Sequence, residues 1–91
     1  MRRRKFDGLS ENEVRRRLES LTESDYADLR DWAAKCMNNR TIMGKSGDDI
    51  ASEAVLSVLT GARNWPTDVE MRPLLFSIVR SLSIATHNRR R

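Results

Sequence analysis

Ser46–Ser81, SGDDIASEAVLSVLTGARNWPTDVEMRPLLFSIVRS, decides the fold of this chain. The Ser46 hydroxyl is placed to accept one of the unpaired backbone N–H groups at a helix start. Asp48 and Asp49 then fall in the first turn, where carboxylates meet the positive end of the helix dipole. From Ile50 to Leu59 the apolar residues Ile50, Ala51, Ala54, Val55, Leu56, Val58 and Leu59 are dense enough to cover more than one face. Gly61 supplies the stop, because glycine adopts the left-handed C-cap conformation without steric cost. Beyond the loop, Met71, Leu75, Ile78, Leu82 and Ala85 recur at three- and four-residue intervals, the stripe of an amphipathic helix. Pro73 limits how far upstream that helix begins, so its start is expected near Val69–Arg72. Two helices this apolar require other walls for a shared core.

Upstream residues supply them. Ser10–Glu13 (SENE) has the pattern of a capping box, and Val14, Leu18 and Leu21 follow at helical spacing, which predicts a short helix over 11–21. Arg15, Arg16 and Arg17 fall mostly on its solvent side. Thr22 opens a second capping pattern, TESD, ahead of a helix over 23–37 whose apolar face is Tyr26, Leu29, Ala33, Cys36 and Met37, with Trp32 beside it. Trp32 and Cys36 read as packing residues. Asn38–Lys45 (NNRTIMGK) is a loop broken by Asn38, Asn39 and Gly44. Gly44-Lys45-Ser46 shares its last residues with a phosphate-binding loop, but Asn39 stands at the upstream glycine position and a helix precedes it, so nucleotide binding is rejected. No stretch alternates with period two. The expected fold is all-α, a compact bundle of three to four helices.

Composition sets the remaining bounds. Ninety-one residues make one domain, with 33% charged and 38% hydrophobic residues and a net charge of +4. The basic balance suits polyanionic partners or acidic protein surfaces, and equally suits simple solubility. Residues 1–9, with Arg2, Arg3, Arg4 and Lys5, read as a mobile basic arm, and 10–91 as a single helical domain. The one cysteine, Cys36, fits a reducing cytoplasm and rules out an internal disulfide or a cysteine metal cluster. No apolar run approaches the ~20 residues of a membrane span. One histidine and one cysteine on different helices leave no nucleophile–base–orienter set, so neither an enzyme nor a cofactor is expected. Asp49 and Glu53, four apart, share a helix face, but nothing supplies the further oxygen ligands a hard cation needs. An acidic strip facing solvent or a partner is the simpler reading. Trp65 is either a base-stacking ring or a lid over the core.

The order Gly47–Leu56, then Arg63-Asn64-Trp65, then Leu74–Ser81 resembles region 2 of the sigma-70 family of bacterial transcription initiation factors, most closely the short group-IV type. That family shows an acid–Leu–x–Gln–Glu helix, a loop, and an aromatic–Leu–x–x–Ile–x–Arg helix. Ser52 stands here where the family has glutamine, and Pro73-Leu74-Leu75-Phe76 replace its aromatic–tryptophan pair. The resemblance covers about Leu18 to Arg91. It implies a helical module that binds the clamp helices of the RNA polymerase β′ subunit and captures the melted, single-stranded −10 promoter element. By position it implies polymerase contacts at Asp49, Glu53 and Leu56. It implies promoter DNA contacts at Arg63, Asn64, Trp65, Arg72, Arg80 and His87. Two other readings compete with it: a sigma-like decoy that binds an anti-sigma factor without touching DNA, and an unrelated small helical DNA-binding regulator.

Overall fold

The computed structural model describes residues 8–89, which form four helices: α1 (Glu11–Glu19), α2 (Glu23–Cys36), α3 (Gly47–Leu59) and α4 (Met71–Arg89). The expected all-α bundle is what is observed, with no strand among the described residues beyond two isolated bridges, Gly8 to Pro66 and Ile42 to Lys45. Most of the expected basic arm, residues 1–7, lies outside the described residues. Its last two residues are tied down: Gly8 pairs with Pro66, and the Leu9 N–H donates to the Trp65 carbonyl at 2.7 Å.

Three helices start on the serine or threonine the sequence offers. Ser10, Thr22 and Ser46 each accept from the backbone N–H three residues on. Thr22–Asp25 and Ser46–Asp49 are full capping boxes, each carboxylate reaching back to the N-cap N–H. The SENE box is only half made, because Glu13 turns to Arg16 and Arg17 instead. α3 stops as anticipated: Thr60 is the C-cap, and Gly61 follows at φ 82 with its N–H on Val58.

α3 is the packing centre, in contact with all three other helices. Its buried side is Gly47, Ile50, Ala51, Ala54 and Val58. Small residues there let neighbours approach closely, and Gly47 lies against the backbone of Ala33 and Ala34. Leu29 and Ala33 of α2 and its C-cap Met37 join this core, while Leu75, Ile78 and Val79 of α4 close it. The stripe on α4 is rotated from expectation: Ala85 is exposed, whereas Val79, Ser83 and Thr86 are buried. α4 packs on both α2 and α3, so its buried face is wider than one stripe. Thr86 tolerates burial by donating to the Leu82 carbonyl at 2.9 Å.

The 38–45 loop holds three non-glycine residues at positive φ, Asn38 (57), Asn39 (55) and Met43 (56). Asparagine accepts this region readily; methionine pays about 1–2 kcal/mol there through contact of its Cβ with the backbone.

A Cβ at Gly47 would sit 2.7 Å from the Ala34 backbone nitrogen. Helix propensity favours Gly→Ala by at most about 1 kcal/mol, and forcing a methyl against backbone costs about 1–3 kcal/mol. The clash wins because the obstacle is not a flexible side chain. Gly47→Ala is therefore expected to lower the thermal midpoint, by roughly 4–8 °C for each kcal/mol lost, in a melt followed by circular dichroism.

Candidate functional site

Two surfaces carry the residues that the sequence singled out. The first is the outer side of α3. Opposite its buried side, Asp48, Asp49, Ser52 and Leu56 are exposed. Leu56 keeps 55% of its surface in solvent, an unusual position for a leucine on the central helix of the core. The two acids assigned to this surface are partly occupied. Asp49 closes the Ser46 capping box, and Glu53 forms an ion pair with Lys45. Both remain reachable from outside, since Asp49 is exposed and Glu53 half-exposed. α2 runs antiparallel alongside: Arg30 pairs with Asp48, and the Tyr26 hydroxyl shares a hydrogen bond with Ser52 at 2.7 Å. Leu56 continues that line one turn further on, at the end of α3 opposite the acids.

The second surface is the outer side of α4 with the loop that precedes it. Arg63 is half-buried and donates to the Ser81 hydroxyl at 3.4 Å, which lays its guanidinium beside the exposed face bearing Arg80. Asn64 is exposed next to it. Neither Arg63 nor Arg80 makes an ion pair among the described residues. Arg63 thus meets α4 one residue beyond Arg80, and Asn64 follows Arg63 in the chain.

Three others are placed differently. Trp65 is 1% exposed and belongs to the core, so base stacking on it is withdrawn. Its indole N–H donates to the Val69 carbonyl at 2.7 Å, and the Arg17 guanidinium lies 5.5 Å from its ring centroid. Stacking would need the core opened. Arg17, expected on the solvent side of α1, is instead turned inward over this ring. Arg72 is likewise not a free cation: it pairs with Asp25 at 3.2 Å and Asp28 at 3.3 Å and lies over the Phe76 ring. Phe76 stacks in turn on Trp32, whose N–H reaches the Phe76 carbonyl at 3.0 Å. The positions of Asp25 and Asp28, three apart on α2, were the signal for this pairing, but only the parallel α2–α4 packing selects Arg72 as their partner. His87 is half-buried with Nε2 3.2 Å from the Cys36 carbonyl, binding the end of α4 to the end of α2. Burial pushes the Cys36 thiol up, against smaller opposing effects of the Ser83 hydroxyl and the Arg80 charge. Burial thus favours the protonated thiol over the thiolate.

Among the described residues no group of three or more histidine, cysteine or carboxylate side chains is arranged to hold a metal ion, and no helix is long and apolar enough to cross a membrane. Comparison with protein-family models, with curated proteins and with solved structures finds no match to this chain.

Two outcomes follow from these contacts. Trp65→Ala should lose about 3–5 kcal/mol of a total that for domains of this size is about 5–15 kcal/mol, and chemical denaturation will report that loss without any nucleic acid present. The Asp25 carboxyl is held below its ordinary 3.8, first by the Thr22 backbone N–H, then by the Thr22 hydroxyl, with Arg72 adding a smaller share. A depressed folded-state value stabilises the fold above the unfolded pKa and is lost as pH falls through the folded one. The gap in thermal midpoint between the parent and Asp25→Asn should thus hold steady near neutrality and close once the pH drops below 3.8.

Proposed function

We propose that this domain is a sigma region 2-like interaction module that docks on RNA polymerase through the outer side of α3 and contacts promoter DNA through Arg63, Asn64 and Arg80. The observation that carries the reading is Leu56, which is left in solvent on the central helix, in line with Ser52 and Asp49. An exposed leucine beyond an acidic helix start offers an apolar anchor plus charge complementarity to a basic helical partner, the combination that concentrates binding energy in a few residues. The resemblance stated above supplies such a partner in the clamp helices of the β′ subunit.

On the DNA side the proposal is narrower than the motif alone suggests. With the indole in the core, the remaining groups are guanidinium and amide donors suited to phosphates and base edges. Capture of the −10 strand then rests on charge, with Arg72 and His87 acting as packing residues behind the contact surface. Burial of Trp65 also favours a second reading, in which the same α3 side binds an anti-sigma factor and DNA contact is dispensable.

A charge reversal at Asp49 would also break a helix cap, so Leu56 gives the cleaner test. Leu56→Asp, an acid in the last turn of α3, should cost the fold only about 1 kcal/mol and weaken binding to core polymerase by about tenfold or more, roughly 1.4 kcal/mol, in a pull-down or fluorescence titration. Unaltered affinity in that variant would remove the docking proposal. If the parent ignores polymerase but a cognate anti-sigma factor binds it and not Leu56→Asp, the decoy reading takes its place.

A further inference from the structure

Ile42–Lys45 is a two-residue hairpin. Ile42 and Lys45 exchange both backbone hydrogen bonds, each 2.9 Å, and Met43 and Gly44 between them have φ of 56° and 77°. Two central residues at positive φ define the primed turn that Asn-Gly and Gly-Gly fill without strain. Met43 occupies the strained position and shows 58% of its surface to solvent, more than any other large hydrophobic residue described. The turn beneath it is rigidly set: Ile42 is 3% exposed in the core, and Lys45 is fixed by Glu53. Strain maintained at an exposed tip invites a search for what the tip touches.

Charge around the tip narrows the answer. From Trp32 to Gly47 there is no carboxylate, while Lys35, Arg40 and Lys45 are present. The last turns of α4 contain no carboxylate and end in Arg89. The contact of His87 with the Cys36 carbonyl brings the end of α4 to the point from which the hairpin departs. Lys35 and Arg40 are exposed and make no ion pair among the described residues, and Asn38 and Asn39 at the base of the hairpin are exposed too. An apolar knob flanked by the unpaired cations Lys35 and Arg40 and by two asparagines, with Glu53 neutralised by Lys45, has the composition of a minor-groove wedge.

We propose that the 38–45 hairpin is a duplex DNA contact in which Met43 inserts between base steps from the minor groove while Arg40 and Lys35 hold flanking phosphates. Insertion unstacks one step and bends the duplex; the exposed thioether side chain gains apolar contact with the separated bases. The contact stands on the turn and the charge distribution, and does not require α3 to dock on polymerase.

The test uses the full 91-residue chain and an end-labelled duplex of about 20 base pairs with a central, easily kinked TA step. Energy transfer between the ends reports bending, and a titration at several salt concentrations reports affinity and charge contacts. Met43→Asn suits the turn better than methionine, so it should raise the thermal midpoint while abolishing the bend and weakening binding about tenfold, with the salt slope unchanged. Arg40→Ala should reduce the salt slope by about one and leave the bend of the bound duplex intact. Met43→Asn that binds and bends like the parent overturns the proposal, as does a parent that leaves the duplex straight. If Met43→Asn impairs polymerase binding alone, the hairpin is a protein contact and the DNA assignment is wrong. Leu56→Asp should bend the duplex normally, which separates failure here from failure of the docking surface on α3.

Discussion

Placement of Trp65 in the core is the constraint on which the rest of the structure hangs. Trp65 ties the segment ahead of α1 and the α3–α4 loop into the core, adding to the contact α1 makes with α3. Leu9 is bonded to the Trp65 backbone, Arg17 of α1 covers the ring, and Val69 receives the indole proton. The loop between α3 and α4 is thereby folded inward in a fixed path, and the segment ahead of α1 is pinned beside it. Arg63 and Asn64, immediately upstream, owe their outward positions to that anchor. Removing the ring would release the loop and its arginine together, so the tryptophan acts on any ligand of this loop by positioning its neighbours.

Electrostatics then sort the cations into two groups. Arg15, Arg16, Arg17, Arg30, Lys45 and Arg72 each have a carboxylate within ion-pair distance. Most of these pairs are exposed, and such pairs contribute little to stability, about 0–1 kcal/mol each. Their larger effect is on where uncompensated charge remains. Neutralisation is concentrated on α1, on α2 up to Asp31 and at the start of α3, while Lys35, Arg40, Arg80 and Arg89 have no carboxylate partner among the described residues. Among residues 8–89 the cations without an ion-pair partner, Lys35, Arg40, Arg63, Arg80 and Arg89, are the ones left to attract a polyanion.

Much of this was legible in the sequence, for identifiable reasons. Helix starts at Ser10, Thr22 and Ser46 and the stop at Gly61 are local chemistry, and local chemistry survives packing. The core of α2 and α3 followed from spacing. The losses come from contacts between residues far apart in the chain. Asp25 and Asp28 do not announce Arg72, 47 and 44 positions further on, and a loop tryptophan reads the same whether it stacks on a base or fills a core. On α4 the stripe was misplaced because small polar residues, Ser83 and Thr86, are admitted wherever two helices press on a third. Met43 was missed for a different reason. Its positive φ follows from the reciprocal Ile42–Lys45 hydrogen bonds, and nothing in NNRTIMGK assigns the strained position to methionine when asparagines stand nearby.

The two sides of α3 bear on which partner comes first. One side is made of glycine, alanines, Ile50 and Val58 packed against neighbouring helices, and it holds the backbone rigid. The other displays Asp49, Ser52 and Leu56 from that same backbone. A partner docking there meets side chains already fixed in direction, so little conformational entropy is lost on binding. The proposed DNA groups are differently prepared: Arg63 and Arg80 are long side chains, and Arg63 is held by a single hydrogen bond to Ser81. Ordering them on phosphate loses rotamer freedom for a contact that salt weakens. Preorganisation therefore supports the proposed protein contact more strongly than the proposed DNA contact. Such a ranking requires no tryptophan in the DNA contact, which agrees with an indole committed to the fold.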